Sequence, residues 1–176
     1  VQKQLDRLSD MLTAVQKALG DYLEKQRSQF ARFYFVGDED LLEMIGNSKD
    51  VAAVSRHLAK MFAGLSQLST DPSSPELVKA MQSREGETVE FIKPVNINED
   101  PSINAWLSRT EAHMQSSLGE HLNSSMNELG TLFTADGKIS EEATMAWVSK
   151  YPCQVLLMAI LADWCQKIEG ALSAGG

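Results

Sequence analysis

Apolar residues recur every three or four positions along residues 3–29, with lysine, aspartate, glutamate and glutamine between them. This spacing predicts one long amphipathic helix. Its apolar face comprises Leu5, Leu8, Leu12, Val15, Leu19, Tyr22 and Phe30. The spacing resembles a coiled-coil seam, but a single face of roughly seven turns more often packs in a bundle, which we therefore favour.

Four aromatic residues fall within the six positions that follow, at Phe30, Phe33, Tyr34 and Phe35, with Arg32 among them. We call residues 30–35 the aromatic joint. Aromatic side chains favour extended backbone and gain most when their rings are buried, so this segment predicts an extended connector clamped by its neighbours. Because the chain is acidic overall, we favour Arg32 packed over a ring face rather than a peptide-binding or base-stacking surface.

Two further helices are predicted after the joint. The acidic turn, formed by Asp38, Glu39 and Asp40, would begin the first, since Asp38 or Asp40 can cap it and acidic groups suit a helix N-terminus. Ser48 or Asp50 would cap the second, which is expected to end near Gly64. Its apolar positions are Val51, Val54, Leu58, Met61, Phe62 and Leu65.

The middle of the chain has a different pattern. Residues Ser69–Pro75 are rich in serine, proline and aspartate and predict a surface loop. Residues 77–82 and 88–92 flank a turn at Ser83–Glu87, and Gly86 can supply the positive φ that a tight turn needs. We therefore predict one β-hairpin, which must lie on the helices or on another protein surface because a lone hairpin is only marginally stable.

The last third of the chain predicts helices again. Asp100–Pro101 is a strong helix start, and apolar residues from Ile103 to Leu129 mark a second long amphipathic helix. Ser140 would cap a short helix through Trp147. A final, nearly all-round apolar helix would follow Pro152 and end near Leu172, and such a helix is expected to be central.

These elements predict a mainly α fold, an elongated bundle of long amphipathic helices with one small β-hairpin. We divide the chain into a helical sub-bundle with the aromatic joint (1–68), a loop and hairpin (69–99) and a second helical sub-bundle (100–176). The chain starts within a helical pattern and ends in Ala174-Gly175-Gly176. Both ends are therefore expected to be cuts through a longer polypeptide.

Charge and cysteine content narrow the function classes. The net charge is -8, and residues 1–65 hold nine basic and nine acidic side chains, so the rest of the chain carries the excess. This distribution argues against nucleic acid and against an anionic membrane surface as partners. Cys153 and Cys165 lie twelve residues apart in one predicted helix, roughly 18 Å at about 1.5 Å per residue. They cannot bridge there, which favours a reduced, intracellular setting.

No motif predicts catalysis. The chain lacks a Gly-rich phosphate loop. Residues 134–142 resemble half a calcium loop, but Leu132 and Ala143 would occupy ligand positions that need carboxylates, so a capped turn is the better account. His113 and His121 are too far apart on one helix for a shared zinc ion, and His57 has no acidic residue three or four positions away. We interpret all three as surface or packing histidines and expect no enzyme, cofactor or metal site in this segment.

The string RFYFVGDEDLLEMIGNSK, from Arg32 to Lys49, resembles the linker region of dynein heavy chains, and its VGDEDLLE and IGNSK portions are closer to cytoplasmic dyneins than to axonemal ones. The similarity continues in residues 83–95, 103–107 and 147–159 and so spans essentially the whole chain. Ala31 stands where many members have proline, which would leave the aromatic joint less rigid.

This resemblance implies a function. The linker of that family is a curved stack of helical bundles that lies across a ring of AAA+ modules and bends during the ATP cycle. The segment would then be a lever without chemistry of its own, in a cytoplasmic, microtubule-associated heavy chain. Its partners would be the flanking linker bundles and the AAA+ ring, and the parent chain would be a homodimer with accessory chains on microtubules. ATP, magnesium and microtubule sites would belong to other parts of such a chain.

Within this hypothesis the three long helices form a rod and the aromatic joint sets the angle between consecutive helices. The rod would be held by Leu12, Trp106, Trp147, Leu157 and Trp164. The exposed features expected to meet the ring are the acidic turn and the hairpin residues Arg84, Glu85 and Glu87. The alternative is a helical adaptor that binds a partner protein, which would need an exposed apolar groove.

Overall fold

The computed structural model describes residues 2–100, 102–132 and 138–174. Within them the fold is mainly α, as predicted. The helices are α1 (Gln2–Gln29), α2 (Asp38–Gly46), α3 (Val51–Ser55), α4 (Leu58–Met61), α5 (Ile103–Leu129), α6 (Glu141–Lys150) and α7 (Cys153–Ala174). The strands are β1 (Gln67–Asp71), β2 (Ser74–Gln82) and β3 (Thr88–Asn96).

The start of α5 differs from the prediction. Its N-cap residue is Ser102, and the side chain of Asp100 instead forms an ion pair of 2.7 Å with Arg109, two turns into the helix. Pro101, the other half of the predicted start, lies outside the described residues. The predicted cap of α6 is confirmed, because the Ser140 hydroxyl accepts a hydrogen bond from the Ala143 amide.

The prediction of a single helix that ends near Gly64 is wrong, because two short helices lie there instead. Asp50 caps α3 by accepting hydrogen bonds from the Ala52 and Ala53 amides, but α3 ends at Ser55 and a separate helix, α4, begins at Leu58. Between them the His57 amide donates to the Val54 carbonyl, a tighter turn than an α-helix makes. The break places His57 in the protein interior.

The predicted hairpin is present, because β2 and β3 pair as antiparallel strands on either side of Ser83–Glu87. The preceding surface loop is wrong, because a third antiparallel strand makes the sheet order β1-β2-β3. Strand β1 and the start of β2 lie in the stretch rich in serine and proline. The side chain of Asp71 accepts a hydrogen bond from the Ser73 amide and so closes the turn between them. Pro75 is tolerated in β2 because pairing with β3 begins only at Leu77.

Two hydrophobic clusters form the interior. The larger one joins the end of α1, the aromatic joint, α2 to α4, the sheet and the first turns of α5, with Trp106 and Phe33 among its largest members. The smaller one lies around Trp147 and Tyr151 and joins the end of α5 to α6 and α7. Leu118 packs against both clusters. Helix α5 therefore connects the two cores.

The two terminal helices are not buried as predicted. The apolar face of α1 is exposed, including Leu12 at 67%, and its buried residue is Leu23. Helix α7, which we expected to be central, buries Val155, Leu156 and Ala159 but leaves Leu157 and Trp164 more than half exposed. Of the residues expected to hold a rod, Trp106 and Trp147 are buried, whereas Leu12, Leu157 and Trp164 are not.

Candidate functional site at the helix corner

The backbone of the aromatic joint is a 3₁₀ helix, Ala31–Phe35, rather than an extended connector. Its hydrogen bonds run from the Phe33 amide to the Phe30 carbonyl and from the Val36 amide to the Phe33 carbonyl, at 3.0 and 3.1 Å. Phe30 and Val36, on either side, are extended. The aromatic residues indicated the position of the joint but not its conformation.

The rings of the joint divide between the interior and the surface. Phe30 and Phe33 are buried and meet edge to face with their ring centres 5.0 Å apart. Tyr34 and Phe35 are exposed, Phe35 at 70%. The Tyr34 hydroxyl donates to Glu24 of α1 at 2.6 Å, and this hydrogen bond raises the pKa of Tyr34. The expectation that all four rings are clamped therefore holds for two of them.

Arg32 connects the joint to two other elements. Its Nε and Nη2 atoms donate to Glu111 of α5 at 3.0 and 2.8 Å, and its Nη1 donates to the Met61 carbonyl at the end of α4 at 3.0 Å. The guanidinium also lies 4.4 Å from the centre of the Phe62 ring. Arg32 thus lies over a ring face, as the sequence favours, but the ring belongs to a residue outside the joint.

Arg27 is a second arginine of this corner, and sequence analysis did not find it. Its guanidinium donates to the Phe33 and Val36 carbonyls at 3.4 and 3.0 Å and pairs with Asp38 at 2.6 Å. These contacts join the last turns of α1 to Phe33 within the joint, to Val36 just after it and to Asp38, the first residue of α2. In the sequence Arg27 is one of many charged residues of α1, and no local pattern marks it.

The acidic turn is largely engaged within the chain. Gly37 is the N-cap residue of α2, so neither Asp38 nor Asp40 serves as the cap. Asp38 pairs with Arg27, while Asp40 accepts a hydrogen bond of 2.6 Å from Lys60, which lowers the pKa of Asp40. Glu39 is exposed.

The hairpin turn contacts the second core. Gly86 has φ of +90° in this turn, as the sequence predicts for a glycine there. The carboxylate of Glu87 accepts a hydrogen bond of 2.9 Å from the Cys153 amide and so satisfies a free donor at the start of α7. Arg84 and Glu85 are exposed. Among the described residues no hydrogen bond or ion pair joins this turn to the acidic turn.

An open groove of about 390 Å³ lies between the joint, the sheet and the start of α7. Its lining is mostly apolar and includes Leu65, Met81, Val89, Met114 and Pro152, with Arg32 at one side. The groove lies beside the larger core, and its wall includes Leu118, which packs against both cores.

The candidate ligand residues are placed as follows. His113 and His121 are half-buried. The centre of the His121 ring lies 6.2 Å from the centre of the Tyr151 ring. His57 is buried next to Asp40 and Glu43 of α2, which the sequence did not indicate because they are 17 and 14 positions away. Both cysteines are free and exposed on α7. The half calcium loop includes residues 133–137, which lie outside the described part of the chain. Among the described helices, none is long and apolar enough to cross a membrane.

Comparison with known proteins gives consistent matches. The family model described as dynein heavy chain, N-terminal region 2, matches residues 1–125. The chain is 47% identical to a protein of Dictyostelium discoideum named dynein heavy chain, cytoplasmic, over 99% of this chain and 4% of that protein. It is 44% identical to a protein of Drosophila melanogaster with the same name, over 98% of this chain and 4% of that protein. The chain therefore spans about one twenty-fifth of the length of these relatives.

Proposed function

Because this chain belongs to the dynein heavy chain family, we propose that it is a mechanical segment of the linker, which carries ATP-driven movement of the AAA+ ring to the tail of the motor. The chain is part of the N-terminal region of such a heavy chain. In this proposal the segment acts as a lever that transmits movement. Other parts of the heavy chain hydrolyse ATP and bind microtubules.

The observation that carries the proposal is a long helix fixed at one end. Helix α1 has 28 residues and is roughly 42 Å long at about 1.5 Å per residue. Its buried residue, Leu23, lies close to the joint. Arg27 and Arg32 then connect this end to α2, α4 and α5 through charged hydrogen bonds, which are stronger and more directional than neutral ones. Such an arm can transmit a rotation of its base only if the angle at the base is fixed.

The exposed apolar faces support a place within a larger stack of bundles. Contiguous exposed apolar surface on a protein marks an interaction site. Helices α1 and α7 each carry such a face, including Leu8 and Leu12 on α1 and Leu161 and Trp164 on α7. We assign both faces to flanking linker bundles of the same heavy chain.

For contact with the AAA+ ring the proposal retains the acidic turn and the hairpin turn. Glu39, Arg84 and Glu85 are exposed and available for such contacts. Asp38, Asp40 and Glu87 are engaged within the chain, so they would support these surfaces rather than reach the ring directly. The relatives are named cytoplasmic dynein heavy chains, which supports a cytoplasmic, microtubule-associated parent chain. We further propose that this parent chain is a homodimer with accessory chains.

Motility of a dimeric dynein heavy chain that contains this segment tests the proposal. Arg32→Ala removes the connection of the joint to α4 and α5, and Arg7→Ala removes an exposed arginine of α1 as a matched control. We expect Arg32→Ala to reduce microtubule gliding velocity several-fold while ATP hydrolysis is largely retained, and Arg7→Ala to change neither. Normal velocity in a folded Arg32→Ala motor would mean that the corner does not transmit force.

A helical adaptor remains the second candidate, and the apolar groove beside the larger core favours it. Such a groove could accept an apolar peptide segment. The adaptor function predicts that Met114→Glu, at a half-buried residue of the groove wall, abolishes capture of a partner protein. The lever function predicts no such partner for the groove and makes velocity depend on Arg32 instead.

A further inference from the structure

Two carboxylates of α2 and a histidine from the turn between α3 and α4 lie close together, and one of the carboxylates belongs to the acidic turn. His57, in the turn between α3 and α4, has its Nδ1 atom 3.4 Å from Asp40 Oδ1 and its Nε2 atom 3.5 Å from Glu43 Oε2. Asp40 and Glu43 are three residues apart on α2 and therefore face the same side of that helix. One ligand atom from each of the three residues can be chosen so that all lie within 4.8 Å of one another.

Each carboxylate in this cluster keeps one oxygen directed at the imidazole. Lys60 pairs with Asp40 Oδ2 at 2.6 Å, and Arg56 pairs with Glu43 Oε1 at 3.0 Å. The two oxygens that face His57 are the other ones, Asp40 Oδ1 and Glu43 Oε2. The two cations thus hold the carboxylates from outside, which is the role that outer hydrogen-bond partners have around ligands of a metal ion.

The imidazole is buried without hydrogen bonds. His57 is 7% exposed, and neither of its ring nitrogens has a hydrogen-bond partner. A neutral imidazole carries one N–H and one lone pair. A carboxylate oxygen lies 3.4 Å from one ring nitrogen and 3.5 Å from the other, yet neither contact is a hydrogen bond. A metal ion bound to one of these nitrogens would give it a partner, and a buried polar atom without a partner is otherwise costly.

We propose that Asp40, Glu43 and His57 bind a divalent transition-metal ion of the Zn²⁺ type. Imidazole nitrogen and carboxylate oxygen are ligands that Zn²⁺ accepts, and three protein ligands leave a position for water. Bonds of about 2.1 Å in a tetrahedral site separate ligand atoms by about 3.4 Å, so the cluster closes around the ion by small side-chain movements. The ion joins α2 to the turn between α3 and α4 and so stiffens residues 38–61, which follow the aromatic joint in the chain.

Calorimetric titration with Zn²⁺ tests the site. The chain is made without an affinity tag, with Cys153 and Cys165 both replaced by Ser because exposed thiols bind zinc, and is freed of metal with a chelator. We expect one ion per chain. His57→Gln and Glu43→Gln each weaken binding at least tenfold, whereas His113→Gln, a histidine of α5 outside the cluster, leaves it unchanged.

Circular dichroism establishes that each variant folds. If His57→Gln does not fold, Glu43→Gln alone tests the site, since Glu43 is partly exposed. Co²⁺ gives a second measurement, because its visible absorption reports coordination by the protein and should disappear in the same two variants. Absence of binding at roughly 100 µM Zn²⁺, or equal binding by the cysteine-free chain and by its His57→Gln variant, would overturn the proposal.

Discussion

The contact between Arg32 and Glu111 gives a quantitative prediction about the corner. Arg32 is the side chain that joins the aromatic joint to α4 and α5, and the two partners are 37% and 25% exposed. Replacement of Arg32 by Ala leaves the Met61 carbonyl unpaired, uncovers the Phe62 ring and separates Glu111 from its cation. The variant should therefore lose several interactions at once.

The magnitude follows from these contacts. A hydrogen bond from a charged donor to the Met61 carbonyl contributes about 1.5 kcal/mol, and the cation over the Phe62 ring about 0.5 kcal/mol. The pair with Glu111 is partly exposed and contributes about 1 kcal/mol. We expect Arg32→Ala to lower the free energy of unfolding by about 3 kcal/mol and Glu111→Ala by about 1 kcal/mol.

Urea unfolding of the two single variants and the double variant measures the coupling between these side chains. The double variant should be no more than slightly less stable than Arg32→Ala, which corresponds to a coupling free energy of about 1 kcal/mol. The control Arg7→Ala should change stability by less than about 0.5 kcal/mol, because Arg7 is exposed on α1. Strict additivity of Arg32→Ala and Glu111→Ala would refute the direct contact.

Three other predictions concern stability. Phe33→Ala should cost about 3–5 kcal/mol in urea unfolding because the ring is fully buried, and a cost below about 1 kcal/mol would place the ring outside the core. Glu87→Ala should cost about 1 kcal/mol by removing the acceptor at the start of α7, while Glu87→Gln keeps most of it; equal losses would contradict the capping role. Hydrogen bonds from Lys150 and Tyr151 hold the pKa of Glu128 below its ordinary value, so its contribution is present above about pH 4.3 and is lost as the pH falls through the lower folded-state pKa. Thermal unfolding between pH 6 and roughly pH 3 should therefore show a smaller acid loss in Glu128→Gln, and an unchanged loss would exclude Glu128 as a source.

The elements that depend on local patterns could be predicted from the sequence. Periodic apolar residues located α1 and α5, Ser140 marked the start of α6, and the cluster at Phe30–Phe35 located the corner between α1 and α2. In each case the signal lies within a few residues of the feature. The mainly α fold follows from such signals alone.

The contacts that build the corner could not be predicted in this way. Arg32 and Glu111 are 79 residues apart, and His57 meets Asp40 across two helix boundaries. Strand β1 was mistaken for a loop because its serine and aspartate residues favour turns, whereas pairing with β2 decided its conformation. Helix α7 was expected to be central because it is apolar all round, yet much of its apolar surface is exposed. Composition shows that a helix can be buried but not whether the elements that would pack on it belong to the same segment.

The central claim is that the corner transmits force from the globular part of the segment to α1. Two glycines inserted between Gln29 and Phe30 separate α1 from the joint and weaken the contacts of Arg27 with the Phe33 and Val36 carbonyls. The same insertion between Pro72 and Ser73, in the exposed turn between β1 and β2, is the control. In a dimeric motor, we predict that the first insertion greatly reduces microtubule gliding velocity while ATP hydrolysis is retained, and that the control preserves both. Equal gliding velocities for the two folded motors would contradict the account.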